Sequence, residues 1–239
     1  MANIFHYNAT QIQNKHMTES TKPFRDKERL LVREKRIQTI LDAGLALCLE
    51  HGIVELEMKE VAQRARVGRT TLYRYFPNKQ DLIYAILYHM GTNRVAPEFH
   101  EARSQFTGNG LEKFEQFLMQ LIEAYEKFPD FFRLMGMVDA YYGMHESAED
   151  LARLYQEMFF GLLVEDTPSS FLQEGQRDGS VTLLIDPHIY MMTALATLNS
   201  LIQHLVVSRE EGIKLSYNIA NPKDMVTTAV WAIITAIKI

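Results

Sequence analysis

Between Lys59 and Lys79 the chain is cut into two pieces, each long enough for a helix of about two turns and too short for more. Val61, Ala62 and Ala65 recur at helical spacing, and Arg66-Val67-Gly68 then interrupts the pattern. A second piece starts at Arg69 and is stopped by Pro77, whose ring cannot continue a helix. Leu72 and Phe76 sit four apart and mark its inward face, which leaves Arg69, Thr70, Thr71, Tyr73 and Arg74 to project. No acidic residue occurs between Val61 and Asn78. Two short helices crossed over a tight turn form a helix-turn-helix, which presents its second helix to the DNA major groove.

Charge is divided in the same sense. From Lys22 to Lys79 there are 13 basic and 8 acidic residues, and from Gln80 onward 11 and 21. The overall charge of −5 thus conceals a basic N-terminal third and an acidic remainder, as expected where one end meets a polyanion.

The pattern elsewhere predicts an all-α chain. Residues 1–25 read as a polar, flexible arm, and Lys22, Arg25, Lys27 and Arg29 are either a DNA-reaching arm or a charged tail. A helix from about Asp26 to Glu50 follows, ended by His51-Gly52 with Gly52 as a left-handed cap. Glu57 and Glu60 have capping-box spacing, with Leu56 and Val61 as the accompanying hydrophobic staple. Asn78 is placed to cap a further helix through Leu82, Ile83, Ile86 and Leu87. Pro97, Gly108-Asn-Gly110, Phe128-Pro-Asp130, Thr167-Pro168 and Asp186-Pro187 punctuate the remainder. Helices are expected at about 111–127, 130–143, 147–164, 168–178, 187–209 and 222–237. The resulting division is a flexible arm at 1–25, an N-terminal three-helix DNA-binding domain at 26–80, and a larger helical ligand-binding and dimerisation domain at 81–239.

Other functions find little support. The single cysteine, Cys48, lies among leucines and reads as a small buried hydrophobe. Residues 1–20 lack the apolar core of a signal peptide, and the apolar end segment from Met225 is short of the ~20 residues that span a bilayer. A cytoplasmic location without membrane contact is expected. His145, His188 and His204 lack metal-ligand spacing, so neither a metal nor a cofactor is predicted. No phosphate loop or nucleophile–base pair is present, and no catalytic residue is assigned.

Residues 36–82 resemble the DNA-binding domain of the TetR family of transcriptional regulators. The likeness lies in Ile40-Leu-Asp-Ala-Gly44, Glu50-His-Gly52, Val61-Ala62 and above all Thr71-Leu-Tyr-Arg-Tyr-Phe-Pro-Asn-Lys79 followed by Leu82. It covers about a fifth of the chain; farther on, only Phe171-Leu-Gln-Glu-Gly175 is motif-like. The resemblance implies a homodimer whose two heads bind a palindromic double-stranded DNA operator, generally as a repressor. It also implies release from DNA by a small-molecule effector, whose identity the sequence does not give. Carried over by position, Arg66, Arg69, Thr70, Thr71, Tyr73, Arg74, Tyr75 and Lys79 are the candidate DNA contacts, with Lys79 a phosphate ligand at a helix N-terminus. Three positions depart from the family pattern: Leu56 and Glu57 stand where Thr or Ser is usual, Arg66 replaces a turn Gly, and Gly68 replaces a Ser cap.

The methionines and aromatic residues of 95–205 suit an adaptable apolar pocket for a flat aromatic or lipid-like effector. Phe117, Leu121, Tyr125, Met135, Asp139, Tyr142, Tyr155, Met158 and Phe159 are its candidate lining, and Asp139, Glu146 and Glu157 are candidates to counter a cation. The last two long helices are apolar on nearly every side, which calls for burial all round and hence for a symmetric partner. Leu195, Leu198, Ile202, Leu205, Val230, Trp231 and Ile234 are assigned to that dimer interface. An alternative keeps the same DNA-binding head and gives the acidic C-terminal body a protein partner instead of a small molecule.

Overall fold

A computed structural model describes residues 23–143, 148–163, 169–207 and 220–239. They form α-helices, with no strand among the described residues and one isolated bridge between Val181 and Lys238. Contacts divide the chain into residues 1–39 and residues 40–239. The proposed flexible arm lies outside the described residues up to position 22, and helix begins at Pro23.

Helix α1 runs from Pro23 to Glu55, interrupted at Gly52, whose φ of 83° and ψ of 165° belong to a region open essentially to glycine alone. The expected stop at Gly52 is therefore a break, and its ψ is extended rather than that of a left-handed cap. Helix α2 (Met58–Arg64), helix α3 (Arg69–Tyr75) and helix α4 (Lys79–Met90) follow. Their apolar faces meet in one core with the last turns of α1: Ile40, Cys48, Val61, Leu72 and Leu82 are each fully buried. Burying a leucine side chain of this kind contributes about 2 kcal/mol. Burial also pushes the Cys48 thiol up to about 12, so it is an unreactive hydrophobe, as its leucine neighbours suggested.

Helix α4 does not end at Met90. It passes through a π turn, Gly91–Val95, into α5 (Ala96–Arg103), where Pro97 occupies the first turn. Pro97 thus starts a helix where the sequence pattern suggested a break.

Six further helices complete the second unit among the described residues: α6 (Gly110–Lys127), α7 (Pro129–Tyr142), α8 (Ala148–Leu163), α9 (Ser169–Asp178), α10 (Pro187–Val207) and α11 (Lys223–Thr235). Helix α6 opens with a capping box, in which Asn109 Oδ1 accepts from Glu112 N at 3.0 Å and Glu112 Oε2 accepts from Asn109 N at 2.9 Å. Its N-terminus is also held by α9: Gly110 N donates to Asp178 Oδ2 at 2.8 Å, and Lys113 pairs with Glu174 at 2.6 Å. A Cβ on Gly110 would collide with the backbone of Phe171 and Gly175, so the two helices approach at a glycine pair. This is the physical content of the Phe171–Gly175 string. By length and hydropathy, segments 27–55 and 187–206 would suffice to cross a bilayer. The second of these buries Met191, Ala194, Leu198 and Ile202 within the helical bundle.

Candidate nucleic-acid interface and effector cavity

The recognition helix is built from its buried side outward. Leu72 is fully buried and Phe76 nearly so, which fixes the rotation of α3 and leaves Arg66, Arg69, Thr70, Tyr73 and Arg74 exposed. Thr71 and Tyr75 are half-buried. The Arg74 guanidinium lies 5.4 Å from the Tyr75 ring centre, a cation–π contact that orders both side chains on the surface. Gly68 caps the helix from an extended conformation without a side-chain bond.

The turn before α3 carries strain at a named residue. Arg66 has φ of 53°, the left-handed conformation in which a Cβ crowds the backbone at a cost of about 1–2 kcal/mol. Its side chain is exposed and it sits beside α3. Across the turn, Arg64 makes a bidentate pair with Glu50, both bonds at 2.6 Å, which ties α2 to α1 and holds the Glu50 carboxyl below its usual range.

Two sequence expectations at this end are corrected. Glu57 makes no capping bond to α2; its carboxylate pairs with Lys59 at 2.5 Å instead. A glutamate carries one methylene more than aspartate, and its oxygens reach the neighbouring ammonium more readily than the helix N–H groups. Lys79 is not held out toward a phosphate. Its Nζ donates to Ile53 O at 3.0 Å and Val54 O at 2.9 Å, carbonyls of the last turn of α1, which ends at Glu55. Asn78 behaves as read, accepting from Asp81 N at 2.8 Å.

Farther along the chain, a cavity of about 250 Å³ opens among five elements. The π turn contributes Val95 and α5 contributes Phe99; Phe117 and Leu121 come from α6, and Phe131, Phe132 and Met135 from α7. Helix α10 closes it with Met192, Leu195, Ala196, Asn199 and Ile202. Of the predicted lining, Phe117, Leu121 and Met135 are in place. Tyr125 packs edge-on against Phe132 at 6.2 Å, behind the wall. Tyr142 is buried in T-shaped contacts with Tyr84 and Tyr141, and Met158 is buried where a Cβ on Gly91 would stand 2.5 Å from its sulfur. The side chains of Phe159 and Glu146 lie outside the described residues.

Asp139 faces neither the cavity nor a free cation. One carboxylate oxygen accepts from the Tyr155 hydroxyl and the other from Gln203 Nε2 at 2.6 Å, so it joins α7, α8 and α10. Burial, then the Asp139 charge, raises the Tyr155 phenol and keeps it a donor. Glu157 is exposed on α8. No group of side chains fit to hold a metal occurs among the described residues.

The apolar residues of helices α10 and α11 divide between the inside of the protomer and its surface. Leu198, Leu205, Val230 and Ile234 are buried inside the protomer, and Leu195 and Ile202 line the cavity. Of the residues assigned to the dimer interface, Trp231 alone is exposed, at 68%. Ile189 and Met192 are the large exposed apolar residues of α10 among the described residues. The signal was present: a helix with apolar residues on every side has more than one neighbour, and a cavity can be one of them.

The family model for bacterial regulatory proteins of the tetR family matches residues 40–86, the segment that holds the turn, α3 and most of α4. Over this segment, about a fifth of its length, the chain is similar to the TetR family. Among relatives, the HTH-type transcriptional repressor KstR of Rhodococcus jostii (strain RHA1) is 30% identical over 142 residues, covering 57% of this chain and 63% of that protein. The chain thus spans less than two thirds of that relative. A solved TetR-family structure from Mesorhizobium loti matches with a TM-score of 0.61 at 15% identity, over 86% of this chain and 98% of the other. FadR from Bacillus subtilis, solved with stearoyl-CoA, matches with a TM-score of 0.58 at 16% identity, over 82% and 97%. These two likenesses concern the fold.

Proposed function

We propose that this protein is a dimeric, sequence-specific DNA-binding transcriptional regulator, a cytoplasmic repressor released from a palindromic operator by a small apolar effector. The observation that carries the reading is the exposed face of α3, where Arg69, Thr70, Tyr73 and Arg74 project from a helix anchored by buried Leu72 and carry no acid among them. Arginine offers a bidentate fork to guanine or to phosphate, and threonine and tyrosine hydroxyls suit phosphates, so this face has the chemistry of major-groove docking. Arg66 adds a cation at the edge of the same face. The family of the 30% identical relative, itself a repressor, supports regulation over catalysis. The apolar cavity favours a small-molecule effector over a protein partner as the C-terminal ligand. The exposed Trp231, Ile189 and Met192 on α10 and α11 suit a second copy of the chain.

The test is substitution on α3. Arg69→Ala and Tyr73→Ala together are expected to weaken operator binding at least a hundredfold in fluorescence anisotropy, with an unchanged circular dichroism spectrum and melting temperature. Retention of wild-type affinity by that folded variant would remove α3 as the reading element.

A further inference from the structure

We infer that the effector is an uncharged amphiphile, a hydrocarbon of about ten carbons bearing one neutral hydrogen-bonding group that pairs with Asn199. The inference rests on the reading of the cavity as the effector site and adds the class of molecule it takes.

Size comes first. An apolar cavity of ~150 Å³ takes one benzene, so one of about 250 Å³ takes two fused rings or a chain of roughly ten carbons. Polarity comes next. Among the described residues Asn199 is the one polar side chain in the lining, and no charged side chain joins it. Its amide both donates and accepts, so it serves an alcohol, a ketone or an ester equally. A carboxylate placed there would give up part of its water and meet no cation among the described lining residues, a cost that a neutral group does not carry.

The Asp139 carboxylate does not change this. Asp139 stands one helical turn beyond Met135 on α7, and Gln203 one turn beyond Asn199 on α10. Their 2.6 Å bond, with Tyr155 on the other oxygen, engages both sides of the carboxylate. A cationic effector would have to break that arrangement to be neutralised, and an anionic one would approach a negative charge. Both signs are disfavoured, and the neutral molecule is left.

The test uses the full-length protein with the neutral two-ring dye 1-aminonaphthalene as fluorescent reporter and decan-1-ol, decanoate, decylammonium and decanoyl-CoA as competitors at pH 7.5. Decan-1-ol is expected to displace the dye at a concentration at least tenfold lower than each of the other three. Asn199→Leu is expected to weaken decan-1-ol about tenfold and to leave dye affinity within twofold, whereas Ala196→Phe, which fills the cavity, is expected to abolish binding of both. Equal or tighter binding of decanoate, decylammonium or decanoyl-CoA overturns the proposal, as does dye binding unaffected by Ala196→Phe or a failure of the wild type to take up the dye. Operator binding is followed separately by anisotropy. If decan-1-ol binds as expected yet leaves the operator complex intact, the ligand class stands and effector-driven release falls.

Discussion

Arg66 is the residue at which fold and function pull apart. Its left-handed backbone costs about 1–2 kcal/mol that a glycine would not incur, while its exposed guanidinium flanks the recognition helix. Arg66→Gly is therefore expected to raise stability by about 1 kcal/mol in denaturant unfolding. The same substitution should lower the log–log salt slope of DNA binding by about one unit for each head that loses a phosphate contact. Greater stability with an unchanged slope would mean that the guanidinium touches no phosphate. Most of this end of the chain was legible in the sequence, because Gly68, Pro77 and Asn78 act locally through φ, ring closure and capping. Lys79 was not legible: its carbonyl partners, Ile53 and Val54, lie some 25 residues earlier, and no local pattern points to them.

Among the elements, the approach of α6 to α9 and the π turn after α4 are set by glycines in unequal ways. A Cβ on Gly110 meets backbone atoms of Phe171 and Gly175, which cannot yield without moving a helix. A Cβ on Gly91 meets the thioether of Met158, a flexible side chain that can change rotamer. Gly110→Ala is expected to cost about 3 kcal/mol and Gly91→Ala about 1 kcal/mol, read by chemical denaturation. Equal costs would contradict the close backbone approach. The capping box Asn109–Glu112 has a spacing that sequence can show, since both partners are three residues apart. The π turn has no such signature. Pro97 fits the first turn of a helix and the end of a loop equally well, and packing of Met158 on Gly91 favours the former.

At the scale of the whole molecule, the all-helical architecture and the basic head with its acidic body followed from periodicity and charge. Which face of α10 and α11 meets which neighbour did not, because hydropathy alone does not separate a protomer core, a cavity wall and an interface. The exposed apolar residues narrow the choice. Trp231 is the sole tryptophan and is 68% exposed in the protomer. Trp231→Glu is expected to convert a dimer into a monomer in sedimentation velocity, with unchanged helicity. In the wild type, dilution below the dimer dissociation constant should shift the tryptophan emission to the red. An unshifted spectrum and a dimeric variant would place the interface elsewhere.

The most direct measurement is fluorescence anisotropy of the purified protein on the DNA immediately upstream of its own gene, beside a scrambled duplex, at two salt concentrations. A DNA-reading α3 predicts tight binding that prefers the upstream duplex and weakens steeply as salt rises. Equal, weak binding to both duplexes, unchanged when fragments from across the genome are substituted, would contradict it.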